Sequence, residues 1–461
     1  MKSKLILLLL ISTCAYSEPK TLHPEAFLKI VQTFHPQARQ AQIGVLKSNT
    51  ELLSARGGFD PILRHYSSQK TLDGKNYYEY HAPELNIPTW YGIELSAGSE
   101  NLSGSRLDQS QTLGQTTYMG ISIPLAKNLV IDKRRAALQQ AKIGTQMAAQ
   151  EQRLALNDLM NEAMTAYWNW AKSYQVLIIV ETNLRIAKTR VDLVKRSVEL
   201  GERPAVDTLE ALTQQQYFEN LYQAKWVDYE NARLELSVYL WKEGNIPMDL
   251  PTDVTPDGSL TDKTLFANFD LNLSSLLTKA QENHPALNAY TNKLEMLQIE
   301  KQLKFQSLLP KLDIQYNQLS KNGFSLHGTS LLNNNFQYGI KFEMPIRLSQ
   351  GRGDFQKAKL KLEEETLNRS QKGQQIQVKV SSYFNQFVSL QKQVQTQEQA
   401  VLNYQALVKA EETRFQQGES SLFLINSRET KAMEAAEKLV DLQAYLFQSI
   451  YALQASAGVL M

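Results

Sequence analysis

The sequence predicts a mixed fold in which short β-strands and very long α-helices are laid out twice along one chain. Three observations predict it. The stretch FHPQARQAQIGVLKSNTELLSARGGFDPIL, from Phe34, returns as NHPALNAYTNKLEMLQIEKQLKFQSLLPKL, from Asn283. His35-Pro36 and His284-Pro285 lie 249 positions apart, and so do Pro61 and Pro310. After each of those latter prolines come segments that alternate polar and apolar residues with period two, the strand signature. From Asp132 to about Leu200 there is no proline and no loop signal beyond Gly144, which at 1.5 Å per residue is about 100 Å of helix.

Residues 1–17 read as a secretory leader. Lys2 and Lys4 are its positive end, Leu5 to Ile11 its apolar core, and Ala15-Tyr16-Ser17 places small residues where a signal peptidase reads, with cleavage expected before Glu18. The apolar run is too short to span a bilayer. Cys14, the only cysteine, lies in this segment. A lipoprotein reading would acylate it, but Thr13 is larger than such a site prefers, so cleavage is the reading adopted. The remaining chain then has no thiol, disulfide or cysteine-bound metal. Removing the leader takes two lysines and leaves 47 basic and 47 acidic residues, a balance that argues against a nucleic-acid surface.

Residues 18–60 read as an N-terminal segment with helix over 24–57, rich in Ala, Gln, Leu and Lys, with Pro24 near its start. Residues 274–309 read likewise, with helix over 285–308. Each helix stops at a proline, Pro61 or Pro310, which removes a donor and restricts the residue before it. Residues 61–125 hold a first strand pair, Thr89–Ser99 and Tyr118–Leu125, ending near Pro124 and separated by a polar loop. Residues 310–346 hold a second pair, Lys311–Leu319 and Phe336–Ile346, ending near Pro345. These strands suit either a half-buried sheet or one wall of a transmembrane barrel. Four strands cannot close such a barrel, so either it is absent or several chains share it. No segment has about 18 consecutive apolar residues, so any membrane crossing must be a closed barrel.

Residues 126–243 read as the first long helix and its hairpin return. Leu177, Leu184, Val191 and Val198 recur every seven positions, and Ala163, Tyr167, Trp170 and Tyr174 every three or four, as in coiled-coil packing. Gly201 and Pro204 mark the reversal, with Asp207 as the expected cap of the returning helix. Residues 347–461 repeat the plan. Helix is expected from Phe355 to about Phe415, with Val380, Phe384, Phe387 and Val388 on one side, and Gly418 followed by Ser420 and Ser421 makes the turn. Residues 244–273, with three prolines, read as a polar linker between the halves. Both strand pairs are expected at one end of a rod and both glycine turns at the other.

The residues offer no recognisable chemistry. His23, His35, His65, His81, His284 and His327 form no zinc-spaced cluster, and there is no nucleophile elbow, phosphate loop or dinucleotide fingerprint. His35 and His284 precede helical prolines at equivalent positions, which suits capping. The expectation is a protein that is not an enzyme and uses no cofactor or metal.

Taken together, the His35-Pro36 and His284-Pro285 helix starts, Pro61 and Pro310, the strands ending at Pro124 and Pro345, and the hairpins at Gly201 and Gly418 resemble the outer membrane efflux protein family, the TolC-like channels, over essentially the whole mature chain. The sequence after Gly201, with Val206-Asp207-Thr208-Leu209, resembles that family's periplasmic turn. The resemblance implies a homotrimer pooling four strands per chain into a twelve-stranded barrel in outer-membrane lipid, with the helices forming a hollow tube across the periplasm. It implies a periplasmic adaptor (membrane fusion) protein and an inner-membrane RND or ABC transporter as partners, with transport through this component passive. Candidates for the periplasmic mouth or adaptor docking are Gly201, Glu202, Asp207, Glu210, Gly418, Glu419, Leu422, Phe423 and Leu424. The chain departs from the family in having no acid between Ser420 and Ser427, which leaves open whether carboxylates or an apolar constriction line the mouth. A soluble periplasmic coiled-coil scaffold is the alternative. It explains the leader and helices but needs no strands with apolar outer faces. A surface adhesin does not explain hairpins paired along the chain, and an envelope enzyme has no site.

Overall fold

The computed structural model describes residues 20–104, 112–257, 260, 269, 271–321 and 334–460. The leader with Cys14, His327, and much of the linker after Asp257 lie outside the described residues. In chain order the elements are β1 (Lys20–Leu22), α1 (Pro24–Phe34), α2 (Pro36–Gly57), β2 (Ile62–Leu72), β3 (Lys75–Pro88), β4 (Glu94–Ser103), β5 (Gly114–Pro124), α3 (Lys133–Glu199), α4 (Val206–Ser237), β6 (Trp241–Lys242), β7 (Ile246–Pro247), β8 (Val254–Pro256), α5 (Leu273–Asn283), α6 (Pro285–Phe305), β9 (Lys311–Ser320), β10 (Phe336–Glu343), α7 (Ser349–Gln416) and α8 (Leu422–Ser456). The chain divides into two units. One holds the residues up to Gln40, Ala155–Glu282 and those from Ile376 onward, and the other holds Ala41–Leu154 and Asn283–Gln375.

The doubled plan is present, with four departures from the sequence reading. The helix expected over 24–57 is two helices, because Pro36 has no N–H to donate and His35 is extended at φ −65° and ψ 135°. His284 breaks α5 from α6 in the same way, at φ −62° and ψ 124°. The linker contains a strand: β8 pairs in parallel with β1, Lys20 opposite Val254 and Leu22 opposite Pro256. β10 ends at Glu343, before Pro345.

The fourth departure is the strand count. The large sheet has six strands in the order β10-β9-β5-β4-β3-β2, every neighbouring pair antiparallel. The two unforeseen strands are β2 and β3, in the stretch between Pro61 and Thr89 that carries no clear alternation of apolar residues. They meet at Asp73-Gly74, both in the left-handed region at φ 49° and 71°, as a two-residue hairpin turn requires.

In the first unit, burial follows the seven-residue spacing. Leu177 joins a core with Trp168, Trp170 and Phe447, Leu184 packs with Phe218 and Met433, and Val191 packs with Ala211 and Leu422. The Trp168 ring stacks 4.1 Å from that of Phe447. Tyr167 Oη donates to the carbonyl of Leu22 at 2.7 Å, tying the short β1–β8 ladder to α3. Burial raises the Tyr167 phenol well above its ordinary range.

In the second unit, the segments that leave and enter the sheet are held by backbone hydrogen bonds. Leu125 N–H donates to Leu312 O at 2.7 Å and Lys127 N–H to Pro310 O at 3.1 Å. Arg135 pairs with Asp132 at 3.0 Å and donates to Leu129 O at 3.1 Å. Helices α6 and α7 are joined by Lys293–Glu365 at 2.8 Å and Lys361–Glu300 at 3.3 Å. Among the described residues, no helix is long and apolar enough to cross a membrane.

Candidate functional site

Two regions carry the features of interest, one in each unit. In the sheet, strand alternation sorts side chains onto two faces, and the register carries each face from strand to strand. One row runs Tyr338–Tyr316–Ile121–Leu95–Ile87 across β10, β9, β5, β4 and β3. The next runs Phe336–Gln318–Met119–Ala97–Leu85–Leu63 and reaches β2. On the same face Ile340 lies opposite Ile314, which lies opposite Ile123, and Phe342 lies opposite Leu312. Many of these large apolar side chains are exposed, Tyr338 at 68% and Leu63 at 77%, while Ile87, Ile121, Ile123, Leu312 and Ile314 are half-buried.

The other face is polar. One row is Gln337–Asn317–Gly120–Ser96–Asn86, and another is Gly339–Gln315–Ser122–Glu94. Lys341 stands opposite Asp313. Tyr118 Oη donates to Glu84 Oε2 at 2.7 Å, across β4 at Gly98. A Cβ on Gly98 would strike the Tyr118 ring, so glycine is what permits this bond. An exposed apolar face backed by a polar one is what a barrel wall needs between lipid and water.

The second region is the pair of hairpin turns in the first unit. Gly201 at φ 74° ends α3, with Glu202 N–H donating to Ser197 O at 2.9 Å. Gly418 at φ 80° ends α7 in the same motif, with Glu419 N–H donating to Arg414 O at 2.9 Å. Only glycine takes this left-handed cap without strain. Ser421 caps α8 by accepting the Leu424 N–H at 3.4 Å. Asp207 is not the cap of α4. Ala205 holds that position with no side-chain bond, because the turn sets Asp207 inside the first turn, where it pairs with Arg203 at 3.4 Å.

The remaining candidates separate by burial. Leu422 is fully buried against Val191, Val194 and Ala211, so it is a packing residue. Phe423 is 68% exposed and Leu424 is also exposed, as are Glu202 and Glu419. Burial, with the neighbouring Asp207 charge, raises the Glu210 carboxyl above its ordinary value.

Two arginines that the sequence does not single out organise this region. Arg203 lies 3.7 Å from the centroid of the Phe415 ring while pairing with Asp207, and so spans both hairpins. Arg190 makes a bidentate pair with the buried Glu429, one arm at 2.5 Å, with Asn426 at 3.4 Å and Glu412 at 3.9 Å. Arg190, Arg203, Leu193, Glu412 and Phe415 line an open groove of about 590 Å³. Leu209, Glu210, Phe423 and Lys431 line another of about 630 Å³.

His35 and His284 sit at their helix breaks. His284 Nδ1 accepts the Ala286 N–H at 3.1 Å, and His35 Nδ1 accepts that of Gln37 at 3.3 Å. The His35 ring stacks on Tyr239 at 5.8 Å, and burial pushes its pKa below the ordinary value. Among the described residues, no group of His, Cys, Asp or Glu is arranged to hold a metal ion.

The family model of outer membrane efflux proteins matches residues 92–239 and 276–459. A search of curated protein sequences gives no match. Among solved structures, the chain is similar to CusC (14% identity, 94% of this chain and 91% of that one, TM-score 0.67). It is similar to the CmeC outer membrane channel of Campylobacter jejuni (13% identity, 95% and 85%, TM-score 0.65). It is also similar to the MtrE outer membrane channel of Neisseria gonorrhoeae in its open state (14% identity, 94% and 88%, TM-score 0.65).

Proposed function

Since the chain belongs to the outer membrane efflux protein family, whose members are outer-membrane channels reaching into the periplasm, we propose that it is the passive conduit of a tripartite efflux or type I secretion assembly. The two-faced sheet carries this reading. Its apolar rows suit lipid, its polar rows suit a water-filled lumen, and its open edges require closure by further copies of the chain, because unpaired backbone groups are not tolerated in hydrocarbon. A homotrimer is the closure we propose.

In the same reading, the hairpin turns at Gly201 and Gly418 form the periplasmic mouth and meet a periplasmic adaptor protein. The grooves lined by Arg203 and Phe415 and by Leu209 and Phe423 are the docking surfaces for its helices. Glu202, Glu210 and Glu419, repeated in three copies, would place rings of carboxylate at the mouth and favour cations. In this reading energy comes from an inner-membrane RND or ABC transporter.

Cell fractionation and sizing of the detergent-extracted protein test this. The expected result is outer-membrane protein that leaves the membrane only with detergent and runs as three chains. A monomer in the soluble periplasmic fraction would instead support a coiled-coil scaffold and end the channel reading.

A further inference from the structure

We propose that the barrel this chain builds has eighteen strands, six from each of three copies, with the β2–β3 hairpin inserted as a full part of the wall at the seam between copies. This rests on the trimeric channel reading above and specifies which surfaces meet.

The family match begins at residue 92, so the four strands it covers are β4, β5, β9 and β10. The hairpin of β2 and β3 precedes it. It is not a loop lying outside the sheet. Glu94 to Ser103 of β4 pair with Pro88 to Glu79 of β3 in one continuous antiparallel register, and β3 pairs with β2 from Ile62–Asn86 to Leu72–Lys75. The edge of β4 that a four-strand protomer would offer to its neighbour is therefore already occupied. Closing twelve strands would first require tearing the β3–β4 ladder apart.

Where it adjoins the two apolar rows the hairpin also continues the pattern of the wall, while farther along the same face carries His65, Ser67, Glu79 and His81. Leu85 and Leu63 extend the apolar row that starts at Phe336, and Ile87 extends the row that starts at Tyr338. On the polar face, Glu84 and Arg64 continue the row of Tyr118 and Gly98. The charged residues of the edge strands, Arg64 and Lys70 on β2 and Lys341 and Glu343 on β10, all lie on the polar face. In a closed wall they would face the water-filled side and not lipid.

Strand direction fixes the partner. Each neighbouring pair is antiparallel, so the two edges, β10 and β2, run in opposite directions. When identical copies are related by rotation about a common axis, β10 of one copy meets β2 of the next and the pair is again antiparallel. Three copies then close a ring with no free edge. Barrel diameter grows roughly linearly with strand number. With strands about 4.8 Å apart and tilted about 40°, twelve strands give a backbone diameter of about 24 Å and eighteen about 36 Å.

The test uses the full chain, matured and inserted in the outer membrane. The one native cysteine, Cys14, lies in the segment read as a cleaved leader, and Cys14→Ser in every variant lets the introduced pairs report alone. Tyr66→Cys on β2 is combined in turn with Gln337→Cys, Gly339→Cys and Lys341→Cys on β10, all four on the polar face, and oxidised. The expected result is a covalent trimer ladder from at least one register. Ser96→Cys on β4 with the same β10 positions should give no intermolecular bond. A ladder from the Ser96 pairs and none from Tyr66 would overturn the proposal and restore the twelve-stranded wall. Because a cysteine variant can fail to insert, cryo-electron microscopy of the unaltered trimer gives a second measurement. Eighteen strands in the wall support the proposal. Twelve overturn it while leaving the trimeric channel intact, and the absence of any trimer overturns both.

Discussion

Replacing Glu429 with Gln tests whether the Arg190 clamp holds the hairpins together. Glu429 is 7% exposed and Arg190 14%, and the carboxylate takes both guanidinium arms. Removing one partner of a fully buried ion pair costs about 3–5 kcal/mol, mostly from the charge left behind. Here the penalty is smaller. Arg190 keeps some contact with water, and Glu412 at 3.9 Å remains as a second carboxylate, so about 2–3 kcal/mol is expected. The loss is local to the place where α8 returns against α3, so it appears as easier opening of those helices rather than global unfolding. Amide hydrogen exchange on the detergent-solubilised protein reads it directly. Protection around Val191–Ser197 and Ile425–Met433 should fall about 30- to 150-fold, at 1.36 kcal/mol per tenfold change. The double change Arg190→Met with Glu429→Met should recover most of it, because a packed apolar pair replaces the buried charges. Unchanged protection in the single variant, within about twofold, would refute the assignment of this pair as a brace.

Three further outcomes follow from the same structure. Gly201→Ala and Gly418→Ala should each cost about 1–2 kcal/mol, because both glycines sit at positive φ, and exchange at the adjoining helix ends should rise by about tenfold. Acidification should weaken the first unit. Burial holds the His35 pKa below its ordinary 6.5, so the unfolded chain binds the proton first; this contribution is fully present above pH 6.5 and is lost as pH falls toward the folded value. Melting between pH 7.5 and 5.5 should show a shallower slope for His35→Gln, and an identical slope would contradict the assignment. Ile121→Arg, on the apolar face of a central strand, should cost about 2–4 kcal/mol in lipid and deplete the outer-membrane trimer. Ser122→Lys on the opposite face should leave trimer recovery within about twofold.

What could be read from the sequence was whatever repeats or has a local cause. The spacing of Leu177, Leu184 and Val191 is visible because a helix places every seventh residue on one stripe, and all three are buried. Gly201 and Gly418 are visible because a left-handed cap has few other solutions. The β2–β3 hairpin was harder. The residues that β2 adds to the face of Leu85 are Leu63, His65, Ser67 and Gln69, which carry little apolar alternation, so period two gives a weak signal there. The clue was Asp73-Gly74, a dipeptide that favours a two-residue turn. Pro36 likewise announces the break that divides α1 from α2. Arg190 could not be found by spacing, because its partner Glu429 is 239 positions away and only the fold brings them together. Asp207 follows Pro204 closely enough to suit a cap, whereas the turn at Gly201 delivers Ala205 to that position.

The most direct test of the central claim is single-channel recording of the purified oligomer in a planar bilayer. Discrete conductance steps from an outer-membrane trimer are expected. With a salt gradient the reversal potential should take the sign set by cation preference at the proposed carboxylate-bearing mouth. A correctly folded oligomer that inserts and passes no current, with or without its adaptor, would contradict the channel reading.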